Sequence, residues 1–117
     1  MNRRALGARG EAIAQRWYEE RGYAVLDRNW RTRQGELDLV LGRDRVVVFC
    51  EVKTRTSDAF GEGVEAVTAT KQARLRRLAG EWLSVHDARA RELRFDVVSI
   101  LAPRDGPPRV DVYEAAF

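Results

Sequence analysis

The spacing of apolar and polar positions changes its period several times along the 117 residues, and each change marks an element. Leu6, Gly10, Ile13 and Trp17 fall on one stripe at helical spacing, and Gly22 follows, which predicts a helix over about residues 5–21. Tyr23 to Leu26 reads as a short strand and Arg31–Gly35 as a polar turn. Glu36-Leu37-Asp38-Leu39-Val40-Leu41 begins with the alternation of a strand. A four-residue turn, Gly42–Arg45, then leads into the strongly apolar strand Val46–Lys53. Residues 54–65 carry the polar and glycine punctuation of a loop. Leu75, Leu78, Ala79 and Trp82 predict a second helix over about 69–86, and Arg94–Leu101 a further strand. Asp105-Gly106-Pro107-Pro108 breaks the chain, leaving Val110–Tyr113 as a candidate edge strand. The order α-β-β-β-α-β, with that optional last strand, predicts one α/β domain over residues 1–117.

Composition narrows the class. With 44% hydrophobic and 33% charged residues, extensive disorder is not expected. No apolar run reaches the roughly 18 residues of a membrane span. Met1-Asn2-Arg3-Arg4 is not followed by an apolar h-region, so no secretory signal is expected. The lone Cys50 cannot form an intrachain disulfide and suits a reducing cytoplasm. The lone His86 excludes a multi-histidine zinc site and reads as an exposed residue near a helix end.

A net charge of +3 conceals a pattern: residues 1–33 carry net +4, 34–70 net −3, 71–94 net +4 and 95–117 net −2. Basic segments attract phosphate backbones, and clustered carboxylates attract divalent cations.

Chemistry concentrates on the hairpin. Residues two apart in a strand share a face. Glu36, Asp38 and Val40 therefore point one way, and Leu37, Leu39 and Leu41 the other. A four-residue turn pairs 41 with 46, hence 38 with 49 and 36 with 51, which gathers Glu36, Asp38, Glu51 and Lys53 on one side. Asp38 and Glu51 become diagonal neighbours at about 7–8 Å between backbones, a gap two carboxylates can close around a cation. The competing reading is an ordinary ion pair of Glu51 with Lys53 or a nearby arginine. Of the 21 basic residues only Lys53 and Lys71 are lysine. Lysine's pKa falls readily on burial, so it can orient or deprotonate a water where guanidinium cannot.

Lys71 and Gln72 head the core-facing side of the second helix, and Glu11 borders the apolar stripe of the first, near Ala14 and Tyr18. Gly61-Glu62-Gly63 lacks the lysine-serine ending of a phosphate loop and reads as flexible loop. Trp17, Trp30 and Trp82 read as core residues rather than base-stacking platforms.

At these residues the sequence resembles a known pattern. Asp38, then Glu51-Val52-Lys53 across a hairpin, after a helix bearing Glu11, resembles the PD-(D/E)xK nuclease superfamily. Within it, the chain is similar to the YraN-type family of uncharacterised bacterial proteins, relatives in fold of archaeal Holliday-junction resolvases. The resemblance is carried by Gly10-Glu11, Asn29-Trp30-Arg31, Gly35–Val40, Phe49–Arg55, Phe60-Gly61, Ala66-Val67, Lys71-Gln72 and Arg94–Val98. It implies a restriction-endonuclease-like fold, with a mixed central sheet flanked by helices. By position, Asp38 and Glu51 would be ligands of Mg²⁺ or Mn²⁺ and Lys53 the catalytic lysine. Glu11 would match a helix-borne acid, and Gln72 a polar helix residue facing the site. The signature proline is replaced, since Leu37 precedes Asp38. The implied activity is metal-dependent hydrolysis of DNA, branched DNA included, with Arg31, Arg33, Arg55, Lys71 and Arg74 as candidate phosphate contacts. A binding module without turnover is the competing class. Junction resolution would call for two sites, hence a homodimer.

Overall fold

The computed structural model describes residues 2–57 and 67–117; the expected Gly61-Glu62-Gly63 loop lies outside them. The first helix, α1, spans Arg3–Glu19. Asn2 caps it, its side-chain oxygen accepting from Ala5 N at 2.8 Å. Gly22, at φ +86°, takes the left-handed conformation that turns the chain into the first strand.

Five strands follow the helical start: β1 Ala24–Thr32, β2 Gly35–Arg43, β3 Val46–Arg55, β4 Glu92–Leu101 and β5 Arg109–Tyr113. The second helix, α2, covers Ala69–Val85 between β3 and β4. The strands form one sheet in sequence order. Pairing is antiparallel except between β3 and β4, which run parallel because α2 carries the chain back across the sheet. The sheet is therefore mixed, as expected, and Val110–Tyr113 does lie in an edge strand. Among the described residues, no helix is long and apolar enough to cross a membrane.

The helices cover opposite faces. Ala14 and Tyr18 of α1 pack with Leu39, Leu41, Val48, Cys50, Val98 and Ile100. Leu75, Leu78, Ala79 and Trp82 of α2 pack with Leu37, Val40, Val47, Phe49 and Phe95. Trp82 is buried and Trp17 and Trp30 pack at the core margins, in keeping with the sequence reading. His86 caps the end of α2 and stacks on Trp82.

One acidic residue among those described is fully buried. Asp96, on β4, accepts from Tyr18 Oη at 2.6 Å, from Arg94 Nε and Nη2 at 2.9 Å each, and from Ala115 N at 3.0 Å. These bonds fasten α1, β4 and the C-terminal segment to one carboxylate and offset its desolvation. Burial also pushes the Cys50 thiol well up, which leaves it protonated and inert.

Four sequence expectations need correction. The stretch read as a short strand and a turn is one nine-residue strand, β1, and only Arg33 and Gln34 form the turn. Its periodicity is hidden by a register shift between Val25 and Asp27 and by Asn29 at φ +51°. The β2–β3 turn contains two residues, not four: Asp44 and Arg45 both have positive φ, as a two-residue type I′ turn requires. The register moves accordingly by two, to Leu41 with Val48 and Leu39 with Cys50, and a shift of two preserves which face each residue occupies. Finally, Leu37 sits in the α2-side core with Val40, whereas Leu39 and Leu41 face α1, so the alternation breaks at Asp38. Residues 54 and 55, read as loop, extend β3.

Candidate functional site

The break at Asp38 builds the site. The β2–β3 ladder stops at Leu39–Cys50. One step further the strands have opened, and the Asp38 carboxylate fills the gap, Oδ2 accepting from Val52 N at 2.8 Å. A backbone amide left open by the separating strands is thereby satisfied by a side chain.

Two more acids reach the same point. Glu36 comes from the start of β2. Glu11 comes from α1, one residue past Gly10, whose own position explains the approach: a Cβ there would lie 2.8 Å from Thr54 Cβ and overlap the threonine hydroxyl. Only a glycine lets the helix sit that close to β3, and this places Glu11 against the sheet. One carboxylate oxygen from each of Glu11, Glu36 and Asp38 lies within 4.8 Å of the other two.

The electrostatics follow. Asp38 is pushed up to about 7, first by burial and next by the charge of Glu51, against the pull of the Val52 amide; Glu11 and Glu36 add to the rise. Glu11 is raised by burial, opposed by a hydrogen bond with Asn29, and raised again by Glu36 and Glu51. Glu51 faces α2, where its Oε1 lies 2.5 Å from Lys71 Nζ. Lys53 is lowered by burial and by the neighbouring Lys71. Burial works against the charge of Lys71 too, but its hydrogen bond and ion pair with Glu51 raise it overall.

Two clefts flank the acids and share Glu36. One, about 490 Å³, runs along α1 past Arg3, Arg4, Glu11, Asn29 and Arg31. The other, about 290 Å³, is lined by Asp38, Glu51, Lys71 and Arg74 below α2.

The structure thus brings together Glu11, Asp38, Glu51, Lys53 and Lys71 from the sequence candidates, with Arg31 and Arg74 on the cleft walls. Arg31 Nε donates to Glu36 Oε2 at 2.7 Å. Gln72 is not part of the cluster: its amide donates to Val67 O at 3.3 Å. Arg33 is exposed in the β1–β2 turn, and Arg55 ends β3, its carbonyl accepting from Ala102 N at 2.8 Å. The ion-pair reading of Glu51 is met by Lys71 rather than by Lys53.

Glu36 and Asn29 join the site without having been singled out as site residues. Regular alternation would put Glu36 on one strand face with Asp38, which was the available signal. Asn29 lies opposite Asp38 in the β1–β2 register, between the pairs Arg28–Leu39 and Trp30–Leu37. Its positive φ is one that asparagine tolerates better than most residues, and it turns the side chain toward Glu11.

Comparison with known proteins places this arrangement in a family. The chain is 57% identical over 107 residues to a UPF0102 protein of Beutenbergia cavernae, covering 92% of this chain and 91% of that one. It is 51% identical over 113 residues to a UPF0102 protein of Frankia alni, covering 97% and 94%. With a UPF0102 protein of Mycolicibacterium gilvum it shares 55% identity over 100 residues, covering 84% and 81%. The model of "Uncharacterised protein family UPF0102" matches residues 10–100, a span that runs from Gly10 through the acids, Lys53 and Lys71 to the end of β4, and the chain therefore belongs to the UPF0102, or YraN-type, family.

Proposed function

We propose that this protein is a divalent-metal-dependent nuclease of the PD-(D/E)xK type, with a restriction-endonuclease-like fold, acting on structured or branched DNA. The observation that carries the reading is the convergence of Glu11, Glu36 and Asp38 at the opened end of the β2–β3 ladder, with Glu51 in electrostatic reach and two lysines alongside.

The donor set fits a hard cation. Carboxylate oxygens are the ligands Mg²⁺ and Mn²⁺ prefer, and the repulsion that raises Asp38 and Glu11 is what a cation would relieve. Glu11, Glu36 and Asp38 would hold it, and Glu51 would join on leaving Lys71. When bound, the ion would supply Lewis-acid stabilisation of a phosphate oxygen and a more acidic water. Lys53, its pKa lowered, is suited to orient the attacking water or to give a proton as charge develops. Lys71 and Arg74, on the wall of the smaller cleft, would contact the phosphate, and Arg31 the strand leading to it. None of these groups reads bases, which suits recognition of DNA shape. A cut on each strand of a junction would need two such sites, hence a homodimer, and the buried thiol suits a cytoplasmic setting.

A binding module without turnover has one observation on its side: Glu51 is already paired with Lys71, and Glu36 with Arg31. The deciding experiment incubates the protein with Mg²⁺ or Mn²⁺ and linear, single-stranded, flap and four-way-junction DNA. Cutting that depends on the metal and on Asp38 supports the nuclease. Binding without cutting of any of these DNAs, with either metal, replaces it with the binding module.

A further inference from the structure

The start of α1 is electrostatically odd. A helix N-terminus carries roughly half a positive elementary charge, which favours acids in the first turn. Here the first turn has no acid and two arginines, Arg3 and Arg4. Neither gains anything from its own helix. An anion arriving from outside would offset both the dipole and the arginines.

A second feature of the same end points the same way. Between the first turns of α1 and the segment after β4 lies a cleft of about 440 Å³, lined by Arg3, Arg9 and Arg104 beside Thr56, with no carboxylate among the described residues that line it. Elsewhere arginines are engaged: Arg31 on Glu36, Arg94 on Asp96, and Arg21 on the Trp17 carbonyl. Arg3, Arg9 and Arg104 make no ion pair among the described residues. Three guanidinium groups around one cleft, spread over sequence positions 3 to 104, repel one another and are drawn together by the fold rather than by local partners.

The cleft is not isolated. Arg9 and Glu11 leave the helix about 200° apart, on opposite sides. Arg3 lines both this cleft and the one that contains Glu11 and Glu36. A strand with its reacting phosphate at the acids can therefore pass over the N-terminal end of α1 and reach Arg9 and Arg104.

We propose that the Arg3–Arg9–Arg104 cleft holds a backbone phosphate of the bound nucleic acid, on the far side of α1 from the acids. The inference rests on the nucleic-acid reading above and adds a footprint to it. The required chemistry, a phosphate dianion or diester, is also offered by free phosphate, and the experiment separates the two.

Fluorescently labelled duplex and single-stranded DNA are titrated with the full chain without divalent metal, followed by anisotropy from about 50 to 200 mM salt. Arg9→Ser/Arg104→Ser is compared with Arg89→Ser/Arg91→Ser, which removes equal charge near the β2–β3 turn at the opposite end of β3. The expected result is an affinity loss of about tenfold for the cleft variant at the lowest salt. Its log–log salt slope should also fall by about one, the amount tied to one phosphate, with a much smaller change for the distal pair. Arg104→Ser alone, in an exposed segment outside helix and strand, repeats the test if the double variant melts early, and should give about half the change in slope. Equal losses for the two double variants, with the parent binding DNA, overturn the cleft while leaving the nucleic-acid reading standing. A parent that binds no DNA ends both. A parent that binds inorganic phosphate tightly in this cleft, but DNA no better than the cleft variant does, overturns the inference in favour of a small-anion site.

Discussion

Lys71 Nζ lies 2.5 Å from Glu51 Oε1, and so occupies the carboxylate that a cation between β2 and β3 would use. The two positions are 20 residues apart in sequence, one on β3 and the other in the first turn of α2. A bound metal would compete with the lysine for the same oxygen. Replacing Lys71 by Met should therefore tighten Mn²⁺ binding by roughly three- to tenfold, a change of the size expected for one partly buried ion pair. Calorimetry on both proteins reads it, and an unchanged dissociation constant would show that Glu51 takes no part in holding the ion.

Asp38 provides the pH test. Its folded pKa, about 7, stands above the unfolded value near 3.8. A raised carboxyl contributes stability that is fully present below the unfolded pKa and is lost as pH rises through the folded one. The metal-free parent should thus lose melting temperature relative to Asp38→Asn between pH 4 and pH 8, since asparagine can keep the bond from Val52 N without ever carrying the charge. The same substitution should abolish Mn²⁺ binding. A constant gap between the two melting curves across this range would mean that Asp38 is not desolvated as described.

Lys53→Arg keeps the charge and changes its shape and basicity. With Lys53 acting on the attacking water, single-turnover cleavage should drop by a factor of about 10² or more, while melting and DNA affinity stay near the parent's. Equal rates would remove Lys53 from the mechanism.

The contact of Gly10 with Thr54 predicts a structural lesion with a functional shadow. Gly10→Ala should destabilise the protein by about 3 kcal/mol, because the methyl group must displace either the helix or β3. Thr54→Ala in the same chain should restore only part of the loss, since Thr54 Cβ itself stands 2.8 Å from the added carbon. Denaturant melts of the two variants decide this. Full tolerance of the single substitution would mean that α1 is free to ride outward, taking Glu11 with it.

The hairpin could be read from the sequence because its strands are long and one of them is almost wholly apolar. Counting four residues in the turn displaced the register by two, and Glu51 and Lys53 kept a shared face because two is the period of a strand, whereas the break at Asp38 turned Glu36 toward α1 and Glu11. Of β1 only the start, Ala24–Leu26, could be read. It is an edge strand carrying Asp27, Arg28 and Asn29, and its two irregularities erase the alternation on which a reading depends. The partnership of Lys71 with Glu51 was also out of reach, as it depends on how α2 docks, and pattern within one segment says nothing of that. Leu37 shows the same limit at the scale of one residue: its face is decided by the opening of the ladder at Asp38.

Every group aimed at Asp96 is a donor: the Tyr18 hydroxyl, two nitrogens of Arg94 and the Ala115 amide. A side-chain amide in that place would turn an NH₂ toward at least one of them. Architecture alone therefore calls for an aspartate here. An acid retained at this position in a set of homologous chains would record how the helix is anchored to the sheet and would carry no information about catalysis.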